Sequence, residues 1–126
     1  MTALNQLFVY GTLMPNQPNH HWLANIGGRF ETASMTGVLI PQGWGAAEGY
    51  PAIIPCEQGR MVEGYLFCSD NLPEHWQALD DFEGEGYVRT QVMVTMADGS
   101  QQIAWVYALA VDEQEKVHLI ATYQQA

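Results

Sequence analysis

Apolar and polar positions along the chain change period several times, and each change marks an element. Leu7-Phe8-Val9-Tyr10 is an unbroken apolar run of β-prone residues ending at Gly11, the pattern of a buried strand. Pro15 to Pro18, with Asn16 and Gln17 between them, reads as a loop, and His20 to Ile26 as a short helix before the Gly27-Gly28 break. Met35 to Ile40 is the next strand. Pro41 to Pro55 is rich in Gly and Pro around the apolar island Ala52-Ile53-Ile54, which predicts loop plus a short strand. Met61 to Phe67 is strand again. Asp70 or Asn71 is then placed to cap a helix, with Pro73 in its first turn, where the missing N–H costs nothing. That helix runs from Leu72 to Phe82 or Glu83 and stops at Gly84. Tyr87 to Met96 and Gln102 to Leu109 are β-prone runs on either side of Ala97-Asp98-Gly99-Ser100, and Asp-Gly in that position predicts a hairpin. Asp112 to Tyr123 reads as a closing helix, with acids at its start and Val117, Ile120 and Ala121 on one face. Strands dominate, with one helix inserted before a long hairpin, so the expected class is α+β, built on a curled or barrel-like sheet.

Helical periodicity separates three acids that look alike in Leu79-Asp80-Asp81-Phe82-Glu83. At about 100° per residue, Leu72, Trp76 and Leu79 form a narrow stripe, and Glu83 falls within about 40° of all three. Asp81 lands opposite and Asp80 to one flank, so both read as ordinary solvated charges. A carboxylate on a core-facing stripe is costly unless partnered, and burial raises its pKa towards the range a general base needs. The competing reading is that the helix end frays at Gly84 and Glu83 reaches water or caps a neighbour.

Composition narrows the class. The chain has 126 residues, enough for one domain (1–126) with its own core, and 48% hydrophobic residues argue against disorder. There is no run of 18 apolar residues to span a membrane, and the opening Met1 to Gln6 lacks the basic and apolar segments of a signal peptide, which suggests a cytoplasmic protein. Cys56 and Cys68 are expected as reduced thiols. Four basic against fourteen acidic residues give a formal charge of −10. Nucleic acid and anionic membranes are therefore not expected partners, and an anionic substrate would need local donors. His20-His21 has no companion His nearby and no metal site is expected. Gly43 to Gly49 does not match a dinucleotide fingerprint, and Ser34, Ser69 and Ser100 do not sit in Gly-x-Ser-x-Gly.

Five segments in order resemble one family. Leu7-Phe8-Val9-Tyr10-Gly11-Thr12-Leu13, with Gln17-Pro18-Asn19-His20 after it, resembles the opening of γ-glutamylcyclotransferase-like proteins, and most of all the γ-glutamylamine cyclotransferase branch. Gly49 to Ile54 resembles the family's central loop and Glu63 to Phe67 its middle strand. Leu79 to Gly84, followed by Tyr87 and Arg89, resembles the segment that carries its catalytic glutamate, and Ala104 to Tyr107 its closing strand. The resemblance spans roughly residues 7 to 109. It implies a small mixed β-barrel with flanking helices and no metal or organic cofactor. It further implies a small γ-glutamyl substrate held by the backbone of Tyr10, Gly11, Thr12 and Leu13, with Ala52 in the central loop also at the site and Glu83 moving the protons. Many relatives carry basic residues after the position of Leu13. This chain has Met14-Pro15-Asn16 there, a departure that bears on the leaving group.

The reaction so implied is attack of a γ-glutamyl α-amine on its own γ-carbonyl, giving 5-oxoproline and a free amine. Gly11 lets the chain pass close to a ligand, and backbone N–H groups can bind an anion without Lys or Arg; the plain alternative is an ordinary strand-to-loop turn. Tyr87 and Arg89 share one face of their strand. Tyr87 either returns beside Glu83 to orient it or the substrate, or is a half-buried strand tyrosine. Arg89 either pairs with substrate or, as favoured here, neutralises nearby acids. Tyr107 alternates with Trp105 and Leu109, and core packing is its default. The rival to a catalyst is a non-catalytic member of the same fold that binds a small ligand or a protein.

Overall fold

The computed structural model describes residues 5–10, 20–40, 52–57, 59–84, 86–110 and 112–123. In chain order these form β1 (Gln6–Val9), α1 (His21–Ile26), β2 (Arg29–Ile40), β3 (Ala52–Pro55), β4 (Arg60–Cys68), a 3-10 turn (Leu72–Glu74), α2 (Trp76–Glu83), β5 (Tyr87–Met96), β6 (Gln101–Leu109) and α3 (Glu113–Tyr123). Among the described residues, no helix is long and apolar enough to cross a membrane.

Five strands close on themselves as a mixed barrel. β1 pairs antiparallel with β4, β4 with β2, β2 with β5 through Ala33 and Ser34, and β5 with β6. β6 returns to β1 in parallel, Leu7 opposite Trp105 and Phe8 opposite Val106. β3 is the extra strand, antiparallel to the end of β2 and touching β6 at Ile53 opposite Ala108. The small mixed barrel with flanking helices is thus the fold observed.

Alternation along each strand sorts the apolar residues. Phe8, Met35, Val62, Leu66, Val94 and Val106 fill the barrel. Leu7, Val9, Phe67 and Tyr107 face outward and pack under Leu23 and Ile26 of α1, Leu72, and Leu79 of α2. α3 covers a third cluster, Val38, Ile40, Ala52, Ile54 and Leu109. Burying a side chain such as Leu79 completely stabilises by roughly 2 kcal/mol, which is what fastens α2 to the barrel wall.

Four expectations need correction. β2 begins at Arg29, six residues before the expected start, because its polar first half is held by pairing with β4 from Arg29 opposite Cys68 onward. The helix expected from Leu72 is broken: a 3-10 turn comes first, and α2 starts only at Trp76. Neither Asp70 nor Asn71 caps it with its side chain. Asn71 Nδ2 donates to the Ile26 carbonyl at the end of α1 (2.9 Å), and Asp70 accepts from Asn5 Nδ2 (2.8 Å). Finally, α3 buries Leu119 and half-buries Ile120, while Val117 and Ala121 are exposed. Its apolar residues are few, so which stripe faces inward is decided by the surface of β2, β3 and β6 beneath it. The hairpin formed as expected, with Gly99 at φ +90° and the Asp98 carboxylate accepting from Ser100 N (2.9 Å) and Oγ (2.6 Å).

Candidate active site

Glu83 is the last residue of α2, and its helix stops there because Gly84 takes φ +82°, a conformation that disfavours any side chain. The Gly84 N–H closes the last turn on the Asp80 carbonyl (3.1 Å). The stripe of Leu72, Trp76 and Leu79 carries Glu83 with it towards the barrel wall despite the break at His75. Glu83 is half-buried, and burial pushes its carboxyl up to about 7.

Asp80, one turn earlier, has the opposite fate and corrects the expectation of an ordinary solvated charge. Burial would raise its pKa as well. Hydrogen bonds from Arg89 and Tyr107, with the Arg89 charge, outweigh that and hold the carboxyl below its usual value. Arg89 Nε donates to Oδ1 (3.0 Å) and Nη2 to Oδ2 (3.2 Å), while the Tyr107 hydroxyl donates to Oδ1 (2.6 Å). Asp81 is the exposed one, accepting only from Gln77 Nε2 (3.1 Å) among the described residues. One short helix therefore presents an acid that titrates near neutrality and another that stays ionised, a separation typical of sites that move protons.

The end of β1 shares an electrostatic neighbourhood with this helix end through Tyr10. Its ring lies against the barrel interior, and its hydroxyl donates to the Tyr107 carbonyl (2.6 Å) and accepts from the Ile53 N–H (3.0 Å). Burial raises the Tyr10 pKa first of all. Tyr87 and the Glu83 charge push it further, against the opposing Ile53 hydrogen bond. Glu83 also raises Tyr107, after burial and Asp80. Glu83, Tyr10, Tyr87 and Tyr107 thus share one electrostatic neighbourhood. Gly64 sets how closely β1 and β4 pack at this end: a Cβ there would overlap the Val9 carbonyl and come within 2.9 Å of the Phe8 ring, so β4 can lie this close to β1 only without one.

Of the other residues named from sequence, Ala52 is fully buried at the start of β3, beside the Ile53 amide that Tyr10 holds. Tyr87 opens β5, half-buried between the helix-side cluster and the α3 cluster. Gly11, Thr12 and Leu13 lie outside the described residues. Arg89 pairs with an acid, as favoured from sequence, and its guanidinium also lies 4.4 Å from the Trp76 ring and 4.5 Å from that of Trp105. The engagement of Asp80 and of the Tyr107 hydroxyl was missed. The signal that could have found it is the hairpin, since counting back from Asp98-Gly99 sets Arg89 opposite Tyr107. Among the described residues, no three His, Cys, Asp or Glu side chains gather in a way that could hold a metal ion.

Residues 7–124 match the family described as "Gamma-glutamyl cyclotransferase, AIG2-like". The chain belongs to this family. Two curated relatives carry the corresponding name. The Drosophila melanogaster protein "Putative gamma-glutamylcyclotransferase CG2811" is 28% identical over 109 residues, covering 82% of this chain and 69% of its own. The Bacillus subtilis protein "Putative gamma-glutamylcyclotransferase YkqA" is 34% identical over 106 residues, covering 84% of this chain but only 35% of its own, so the chain spans about a third of that relative. Among solved structures, the mouse AIG2-like protein superposes with a TM-score of 0.67 at 25% identity, covering 92% of this chain and 84% of its own. The cyclotransferase family is therefore common ground between these relatives and the barrel described above.

Proposed function

We propose that this γ-glutamyl cyclotransferase family member releases 5-oxoproline from a γ-glutamyl amine or γ-glutamyl amino acid, with Glu83 as general acid/base. The observation that carries this reading is the half-buried Glu83 carboxyl, titrating at about 7 and electrostatically coupled to Tyr10 at the exit of the first strand. A substrate α-amine is mostly protonated at neutral pH and cannot attack in that form. The Glu83 carboxylate takes its proton. The amine nitrogen then bonds to the γ-carbonyl carbon, the C–N bond to the leaving amine breaks, Glu83 returns a proton to that leaving nitrogen, and the new ring nitrogen gives up its extra proton to the departing amine or to solvent. Ring formation is intramolecular, so holding the folded conformer supplies much of the acceleration.

Tyr10 has both roles of its hydroxyl committed to Tyr107 and Ile53, and serves as the brace from which Gly11, Thr12 and Leu13 depart. Backbone donors in that segment, with Tyr87 lining the substrate and the buried Ala52 supporting it from behind, complete the reading. Arg89 is held by Asp80, Arg29 by Glu31 (2.8 Å) and Lys116 by Glu113 (3.1 Å), and in this reading amides of this kind bind the anion.

The test is 5-oxoproline formation from a panel of γ-glutamyl amino acids and γ-glutamyl-lysine. Glu83→Gln is expected to lower kcat by about 10²- to 10⁴-fold. Turnover in the unmutated chain is expected to rise as pH passes through about 7, because the base must be ionised. Activity surviving in Glu83→Gln removes the assigned role, and a chain that turns over no γ-glutamyl compound is a binding member of the fold.

A further inference from the structure

The last turn of a helix is its least constrained part, and a carboxylate there gains by swinging into water. Glu83 occupies that turn, and burial is what raises its carboxyl. The residues that fix the turn therefore bear on where that carboxyl sits. Asp80 is the residue whose carbonyl closes it, and its side chain is gripped by three donors on two strands. Surface ion pairs are usually weak, but this one is bidentate and belongs to a network. The Arg89 guanidinium packs in the corner between the rings of Trp76, the first residue of α2, and Trp105 of β6, which meet edge-on at 68°. A single guanidinium from β5 therefore ties down both the start of α2 and the turn before Glu83. The second partner of Asp80, Tyr107, accepts through its carbonyl the hydrogen bond from Tyr10, whose hydroxyl in turn holds Ile53. The same chain of contacts thus runs from the helix carrying Glu83 to the end of β1 and the start of β3, the two places where the proposed substrate site begins.

We propose that Asp80 and Arg89, with Tyr107, are positioning residues that lock the last turn of α2 and thereby hold the Glu83 carboxyl facing the exit of β1. This rests on the acid/base role proposed for Glu83, but its physical content, the placement of that carboxyl, does not require turnover to be seen. None of the three touches the substrate in this scheme. Releasing the lock lets Glu83 reach solvent, so its pKa falls towards the ordinary carboxylate value. Of the titratable groups around it, Tyr10 from the end of β1 and Tyr107 from β6 are both raised by burial, Tyr87 lies at the start of β5, and the nearby charges are those of Asp80 and Arg89, which Asp80→Asn and Arg89→Met remove.

Three variants test this: Asp80→Asn, Arg89→Lys and Arg89→Met. Lysine keeps the charge but loses the fork and the flat face that packs against the two indoles. In folded protein, checked by circular dichroism, the Glu83 carboxyl is titrated by carbon-13 NMR, and kcat and KM are measured with the best γ-glutamyl substrate. Loss of the lock is expected to lower the Glu83 titration by at least one pH unit in Asp80→Asn and Arg89→Met. It is also expected to cut kcat at least tenfold with KM within twofold, and Arg89→Lys should not rescue. A purely electrostatic effect of the pair would instead move the titration in opposite directions in Asp80→Asn and Arg89→Met, and that result overturns the proposal. So does a Glu83 titration and kcat within twofold of the unmutated chain in any variant that folds; should Arg89→Met not fold, the other two decide. If the unmutated chain shows no turnover, the proposed reaction fails, and the NMR titration alone still decides whether Asp80 and Arg89 hold the carboxyl in place.

Discussion

Glu83 and Asp80 are three residues apart on one helix, and what surrounds each carboxyl decides its protonation. Asp80 is offered a guanidinium and a phenol and remains a carboxylate. Glu83 is offered desolvation alone and titrates at about 7. That placement has a cost in stability whose sign can be worked out. A carboxyl with a raised folded-state pKa favours folding below its unfolded value, and the favour is lost as pH rises through the folded value, because the unfolded chain ionises more readily. The window here is from about 4.3, the unperturbed glutamate value, to about 7. Glu83→Gln, which cannot ionise, is accordingly expected to be more stable than the unmutated chain at pH 8, by up to about 3 kcal/mol and less where solvent screens the charge. At pH 4, below the unperturbed value, the two should differ little. Thermal or urea unfolding at the two pH values measures this, and an equal difference at both would show that Glu83 is not desolvated in the folded state.

The way β1 and β4 meet determines where the chain leaves the first strand. Val9 lies opposite Tyr65, and the residue before Tyr65 is Gly64, packed directly on the Val9 carbonyl and the Phe8 ring. Backbone atoms cannot yield as a flexible side chain would, so Gly64→Ala must push the two strands apart. A loss of about 1–3 kcal/mol is expected, the usual cost of overpacking, measured as a shift in urea midpoint. Because Tyr10 follows immediately, kcat should fall more than the loss of folded protein accounts for. The β5–β6 hairpin plays the other half of this role. Its register places Arg89 opposite Tyr107 and Gln91 opposite Trp105, which puts Trp105 where it can clamp the guanidinium from one side.

A net charge of −10 is a property of the whole chain, and it bears on what approaches the barrel. Three of the four basic side chains, Arg29, Arg89 and Lys116, are engaged with acids of the chain itself. A leaving group that is cationic or neutral meets an attractive or indifferent field, whereas one carrying its own carboxylates is repelled. Among γ-glutamyl compounds matched in size, those with a cationic leaving amine are expected to show the higher kcat/KM, and the preference should shrink as salt is raised from 20 to 500 mM, roughly from weak to near-complete screening. A preference independent of salt would assign the selectivity to direct contacts instead.

The sequence by itself determined the elements whose cause is local. An apolar β-prone run bounded by Gly11 makes a strand, Asp98-Gly99 makes a hairpin, and a stripe at helical spacing carries Glu83 to the buried face of α2. The ordered segments also sufficed to indicate the family and its barrel. Only the tertiary structure decided the features whose causes lie far away in the chain. The polar half of β2 is strand because β4 lies beside it, α3 turns Leu119 inward because of the surface beneath it, and Asn71 abandons its cap for a carbonyl 45 positions away. The same holds for Asp80, which looks like a solvated helix acid until the hairpin brings Arg89 and Tyr107 to it. Periodicity reports which way a side chain points, but a charge's partners are set by packing between elements, and that exists only once the barrel has closed.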